Sequence, residues 1–138
     1  MKILTIILVV IFLSFSASTN AEVAIVVHPS NADSIDNKML ARIFLGKIKK
    51  FPSGAEVIPV NQASGSAPTG EFNQKVLNKS ASQLKSYWSK LVFTGKGSPP
   101  KEVADDAAVI SLVSANPNTI GYIDASAVND SVKVLAKF

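Results

Sequence analysis

Asn61-Gln62-Ala63-Ser64-Gly65-Ser66-Ala67-Pro68-Thr69-Gly70-Glu71-Phe72 is the stretch on which the reading of this chain turns. It follows a short apolar run, Val57-Ile58-Pro59-Val60, that reads as a strand. It leads into Phe72, Val76 and Leu77, which have helical spacing. A Ser-Gly-Ser turn between strand and helix suits an anion. Glycine at position 65 permits backbone angles closed to other residues, so successive N–H groups can converge on one oxygen-rich ligand. Ser64 and Ser66 add hydroxyl donors, and Pro68 fits the first helical position. A helix N-terminus with unpaired N–H groups favours phosphate or sulfate. The plainer reading is a polar loop whose serine caps the following helix. The stretch alone leaves both open.

Upstream, Val23-Ala24-Ile25-Val26-Val27 is β-branched and apolar, the pattern of a strand buried on both faces as in parallel sheets. His28-Pro29-Ser30-Asn31 ends it. His28 is the only histidine, and it reads either as structural or as the rim of a ligand cleft. Ser34 or Asp36 caps a helix whose stripe is Met39, Leu40, Ile43 and Phe44. Gly46 fits the left-handed position that closes it. Downstream, Ser80 or Ser82 caps a second long helix. There Leu84, Tyr87, Trp88, Leu91 and Val92 share a face read as core. Phe93 to Pro100 reads as loop, in which Lys96 is either a surface lysine or an arm toward an anion. Lys101 to Ala115 reads as a helix, with Asp105 and Asp106 favouring its dipole. Adjacent helical positions diverge, so this acidic pair does not read as catalytic. Thr119–Ile123 and Val132–Ala136 read as strands. Alternating strands and helices predict an α/β domain whose sheet is at least partly parallel.

Residues 1–21 combine Lys2, an apolar run from Ile3 to Phe15 and small residues up to Ala21. That pattern predicts a secretory signal peptide and a periplasmic product, with residues 22–138 as one domain. The run is short for a membrane span, which needs about 20 residues. The chain has no cysteine, which excludes disulfides, thiolate metal sites and thiol catalysis. Its formal charge is +4, carried by lysines apart from Arg42, and leader removal lowers it slightly. One Trp, two Tyr and one Arg do not make a nucleic-acid surface, whereas mild positive charge favours a small anion. No nucleophile–base pair, metal cluster or paired acid is visible, so neither an enzyme nor a cofactor is expected.

Three stretches in matching order resemble the phosphate-binding proteins of bacterial phosphate ABC transporters, which have the type II periplasmic binding protein fold. They are Ile43-Phe44-Leu45-Gly46-Lys47-Ile48, Ser64-Gly65-Ser66, and Ile120-Gly121-Tyr122-Ile123. Trp88 and the Phe93-Thr94-Gly95-Lys96-Gly97 loop also look similar to that family. The resemblance covers most of residues 22–138 but corresponds to one lobe of a two-lobed protein. It implies a single three-layer-like α/β domain, with a small mixed sheet flanked by helices.

The resemblance also implies that phosphate, or a similar oxyanion, is held by N–H and hydroxyl donors at Ser64, Gly65, Ser66 and Ala67. The family's loop is usually preceded by a phosphate-pairing arginine. Here that region reads Val60-Asn61-Gln62-Ala63, leaving Asn61 and Gln62 as neutral donors. The family's other lobe supplies further ligands, including a carboxylate that accepts the phosphate's proton, and no residue here is assigned that role. Phosphate transport with a membrane permease is the implied setting. A half-site open to water predicts weak binding, improved where a second copy in a homodimer or a partner closes it. The alternative is an envelope interaction protein that kept the fold and lost the ligand.

Overall fold

Val23–Val27 form the first strand, β1, and all five side chains are buried. The computed structural model describes residues 21–138. The leader expected over residues 1–21 lies outside them, apart from Ala21. Among the described residues no helix is long and apolar enough to cross a membrane.

Helix α1 (Asn37–Phe44) follows, with Asp36 accepting from the Met39 N–H as its cap. Gly46, at φ +74°, ends it. The Gly46 N–H donates to the Ile43 carbonyl at 3.0 Å, and that of Lys47 to the Arg42 carbonyl at 2.8 Å. These two bonds are the Schellman closure that a left-handed glycine permits. Next come β2 (Ile58–Gln62), α2 (Ala67–Phe72), a π-helical turn (Asn73–Leu77) and α3 (Ala81–Phe93). The chain closes with β3 (Lys101–Val103), α4 (Asp106–Ala115), β4 (Thr119–Asp124) and β5 (Lys133–Lys137).

The sheet order is β3-β2-β4-β1-β5. β2 runs parallel to β3 and β4, whereas β1 is antiparallel to both β4 and β5. The sheet is therefore mixed. The expectation that β1 belongs to a parallel sheet is corrected on direction and holds on burial. Burial on both faces comes from helices covering both sides, whichever way the neighbours run.

Because side chains alternate along a strand, β1 feeds two cores. Val23, Ile25 and Val27 join Leu40, Ile43, Phe44, Phe72 and Tyr122 under α1 and α2. Ala24 and Val26 join Val60, Val109, Val113 and Ile123 under α4. Helices, sheet and helix make three layers. Gly121 lets α4 approach β4, since a Cβ there would lie 2.6 Å from Val109 Cγ1.

Strands β4 and β5 end one residue later than expected, at Asp124 and Lys137, and two larger differences come from strand pairing. Lys101–Val103 are strand rather than helix, because they pair with Val60–Gln62. The helix starts only after Asp105, whose side chain accepts from the Ala108 N–H. The second strand runs two residues past Val60 to Gln62, drawn out by pairing with Val103.

Candidate functional site

The parallel strands β2, β3 and β4 finish at one edge of the sheet, and β2 turns there into α2. In open α/β sheets this carboxyl edge is where ligands bind. The turn is pinned from below. Gln62 is 1 % exposed. Its side-chain amide donates to Asp106 Oδ1 at 2.6 Å and to the Tyr122 carbonyl at 3.0 Å. The Gln62 N–H donates to the Tyr122 hydroxyl at 3.2 Å. That hydroxyl donates to Thr69 Oγ1 at 3.2 Å, and Thr69 Oγ1 donates to the Ala63 carbonyl at 2.9 Å. With its one proton so used, Thr69 accepts from the Ser66 hydroxyl at 2.7 Å. Ser66 Oγ also accepts from the Thr69 N–H, capping α2.

The six residues singled out in the sequence therefore divide. Gln62 spends both side-chain donors inside the protein, and Ser66 spends its hydroxyl proton there. The Ser66 N–H closes the turn onto the Ala63 carbonyl at 2.9 Å. The N–H groups of Ser64, Gly65 and Ala67 bond to no described residue, and neither do the Ser64 hydroxyl and the Asn61 amide. Ser64, Gly65 and Ala67 are exposed. Gly65 has no positive φ, and a Cβ there would meet nothing within 4 Å, so the turn does not need its conformational freedom. Pro68 stands at the second helical position, after Ala67.

Sequence reasoning missed Thr69, Asp106 and the roles of Tyr122 and Glu102. The one available signal was an Asp at the start of a helix beside a strand that ends in Gln. Tyr122 is buried and stacks on Phe72 at 4.1 Å. Burial pushes its hydroxyl above the usual 10.0, against the hydrogen bonds with Thr69 and Gln62, and the Glu102 charge adds to the rise.

Beside the turn opens a cavity of about 890 Å³. Asn61, Ser64 and Thr69 line one side, and Leu84, Trp88, Val92 and Phe93 the other. Lys85 and Glu102 bring opposite charges to it. The expectation that α3 presents a core face is overturned: none of its residues is buried, and Phe93 is 92 % exposed. Helical spacing puts those side chains on one face but does not supply a layer to cover it. The helix is nonetheless well ended. Ser80 and Gln83 form a capping box, and Gly95, at φ +67°, closes the other end. It is anchored by Tyr87, whose hydroxyl donates to the Leu45 carbonyl at 2.7 Å, and by Trp88 against Gly46.

Neither Lys96 nor Arg42 lines the cavity. His28 ends β1, which runs opposite to β4, so it sits at the other edge of the sheet, bonded to Ser30 at 2.7 Å. Among the described residues no group of His, Asp or Glu is arranged to hold a metal ion.

No protein-family model matches the sequence, and no curated protein matches it. Solved structures do match in fold. A protein described as a phosphate ABC transporter substrate-binding protein, from Clostridium perfringens and with phosphate bound, superposes with a TM-score of 0.62 at 24 % identity. That match covers 83 % of this chain and 45 % of the other. PstS from Borrelia burgdorferi gives 0.63 at 20 % identity, covering 84 % and 47 %. An ABC-type phosphate transport receptor from Vibrio cholerae gives 0.57 at 19 %, covering 83 % and 46 %. The chain thus spans less than half the length of these binding proteins, and its fold is that of one lobe of the phosphate ABC transporter substrate-binding proteins.

Proposed function

We propose that this protein is an exported, periplasmic solute-binding protein that takes phosphate or a similar oxyanion at the Ser64–Ala67 turn, without covalent chemistry. The observation that carries this reading is the set of N–H groups at Ser64, Gly65 and Ala67 that have no partner among the described residues. They stand at the carboxyl edge of the parallel strands, and of the three residues Ser64 also lines the open cavity. The fold likeness to phosphate-binding proteins supports it. Ser64 contributes a hydroxyl and Asn61 an amide. Gln62 and Ser66 hold the turn in shape through Tyr122, Asp106 and Thr69. A permease, or another envelope protein, would receive the ligand.

No arginine faces the cavity and Glu102 does, so the charged contribution is small. Donors exposed to water compete with it for the anion, which makes binding by the monomer weak. Calorimetric titration with phosphate at low salt tests the reading, with sulfate as competitor. Saturable heat is expected. Ser64→Ala, which leaves the helix cap intact, should weaken binding by about tenfold, or about 1.4 kcal/mol. A tight one-to-one complex would contradict the half-site argument. Absence of heat up to millimolar phosphate would overturn anion binding and leave the envelope interaction protein as the reading.

A further inference from the structure

The cavity is too large and too divided in character for an inorganic anion alone. About 890 Å³ lies within the range of sites for drug-sized molecules, roughly 300–1,000 Å³. A tetrahedral oxyanion fills only a few water-sized shares of about 30 Å³. The wall facing Ser64 is largely apolar, with Ser82, Lys85 and Ser89 among its lining. Leu84, Trp88 and Val92 follow one another at four-residue intervals, so they stand on one face of α3, with Phe93 beside them and Pro99 closing the row. No described residue covers that face: Val92 is 54 % exposed and Phe93 92 %. Yet the wall is held in place. The Trp88 ring meets Tyr87 edge-on at 5.0 Å, and Tyr87 is tied to Leu45. Leaving this much ordered apolar surface in water costs free energy that a ligand's apolar group would recover.

The other half of the ligand follows from the Ser64–Ala67 turn rather than from charge. Lys85 and Glu102 both line the cavity and Lys75 is paired with Glu71, so the lysines between Phe72 and Lys101 add only a weak long-range pull on an anion.

We infer that the cavity takes a phosphate monoester with an apolar ester group. The phosphate sits on the Ser64–Ala67 turn, and the ester group lies against Leu84, Trp88 and Phe93. This rests on the anion-binding reading and narrows its ligand class. A soluble aryl ester and a lipid phosphate share this chemistry.

Trp88 is the only tryptophan, so its emission reports on this wall alone. The protein would be titrated with inorganic phosphate, phenyl phosphate, phenol and a short-chain phosphatidic acid below its micelle concentration, by fluorescence and by calorimetry. At least one ester is expected to bind about tenfold tighter than inorganic phosphate and to shift Trp88 emission, with phenol inert. A preference between the two esters assigns the source. The double change Leu84→Ser/Phe93→Ser should bring the esters down to the phosphate level and leave phosphate binding itself unchanged. Neither side chain is buried, so the fold should survive, as a melting curve would verify. If phosphate binds and depends on Ser64 while neither ester binds more tightly, this inference fails and the phosphate reading stands. If phosphate and both esters fail to bind, both fall. Phenol binding as well as the esters would also overturn the inference, since the anion would then contribute nothing.

Discussion

Tyr122 ties the site to the core at the scale of single residues. Its ring packs with Phe72 and Phe44, while its hydroxyl accepts from the Gln62 N–H and donates to Thr69. Burial favours the neutral phenol, so the folded state holds that proton to a higher pH than the unfolded chain does. Above the ordinary value of 10.0 the unfolded chain releases it first, and stability falls as pH rises through the interval up to the folded value. Urea unfolding between neutral pH and that alkaline range should show this loss. Tyr122→Phe should flatten the slope while costing about 1–3 kcal/mol at neutral pH, because it leaves the buried Gln62 N–H unpaired. An unchanged alkaline slope in the variant would refute the assignment. At the acid end Asp124 behaves in the opposite sense. Its carboxylate accepts from the Ser126 hydroxyl and N–H, which lowers its pKa, so its contribution is present above 3.8 and lost as pH falls below that.

Two elements have opposite characters. α4 lies tightly on β4, and Gly121 sets the distance. Gly121→Ala would bring a methyl to 2.6 Å from Val109 Cγ1 in a packed core, so the Val109 side chain or α4 itself must shift. A loss of about 1–3 kcal/mol is expected, as in other overpacked cores. Val109→Ala in the same chain should restore part of it, a coupling that a double-mutant cycle measures directly. Among the described residues α3 is the longest helix, yet it buries no side chain and is retained by its caps, Tyr87 and Trp88. Amides of Ala81–Phe93 should therefore exchange faster than those of β1 and β4, which sit at the centre of the sheet. Exchange rates in α3 as slow as those in β1 would mean that something covers the helix in solution.

At the scale of the molecule, the sheet is guarded and the cleft is not. The edge strand β3 has three residues and includes Lys101, and the other edge, β5, has Lys133 and Lys137 at its ends. Short edges and lysines discourage strand addition by another chain. The carboxyl edge, by contrast, opens on α3 and the Ser64 turn. A ligand that binds only the folded state stabilises it by mass action, by about 2.7 kcal/mol at a hundred times its Kd. Saturating phosphate should raise the melting temperature accordingly, and added salt should diminish the effect because the site is exposed. Ser64→Ala should require more phosphate for the same shift. A shift that is insensitive to both would place the anion elsewhere.

The local features of this protein were legible in its sequence because they are made by neighbours in the chain. The helix starts, narrowed to Ser34 or Asp36 and to Ser80 or Ser82 and taken by Asp36 and Ser80, the Gly46 closure, the stripe of Leu40, Ile43 and Phe44, and the burial of β1 all follow from nearby residues and their periodicity. The strand, turn and helix around Ser64 were legible for the same reason. Direction and covering were not. Whether β1 runs with or against β4, and whether Lys101–Val103 make strand or helix, depends on pairing between distant segments. The apolar face of α3 looked like core, since periodicity tells which side chains share a face but not what lies against it. Likewise, nothing local joins Gln62 to Tyr122, sixty residues away, or to Asp106. Only the folded sheet brings those groups within hydrogen-bond reach. That network fixes which donors of the turn are spent inside the protein and which have no partner among the described residues.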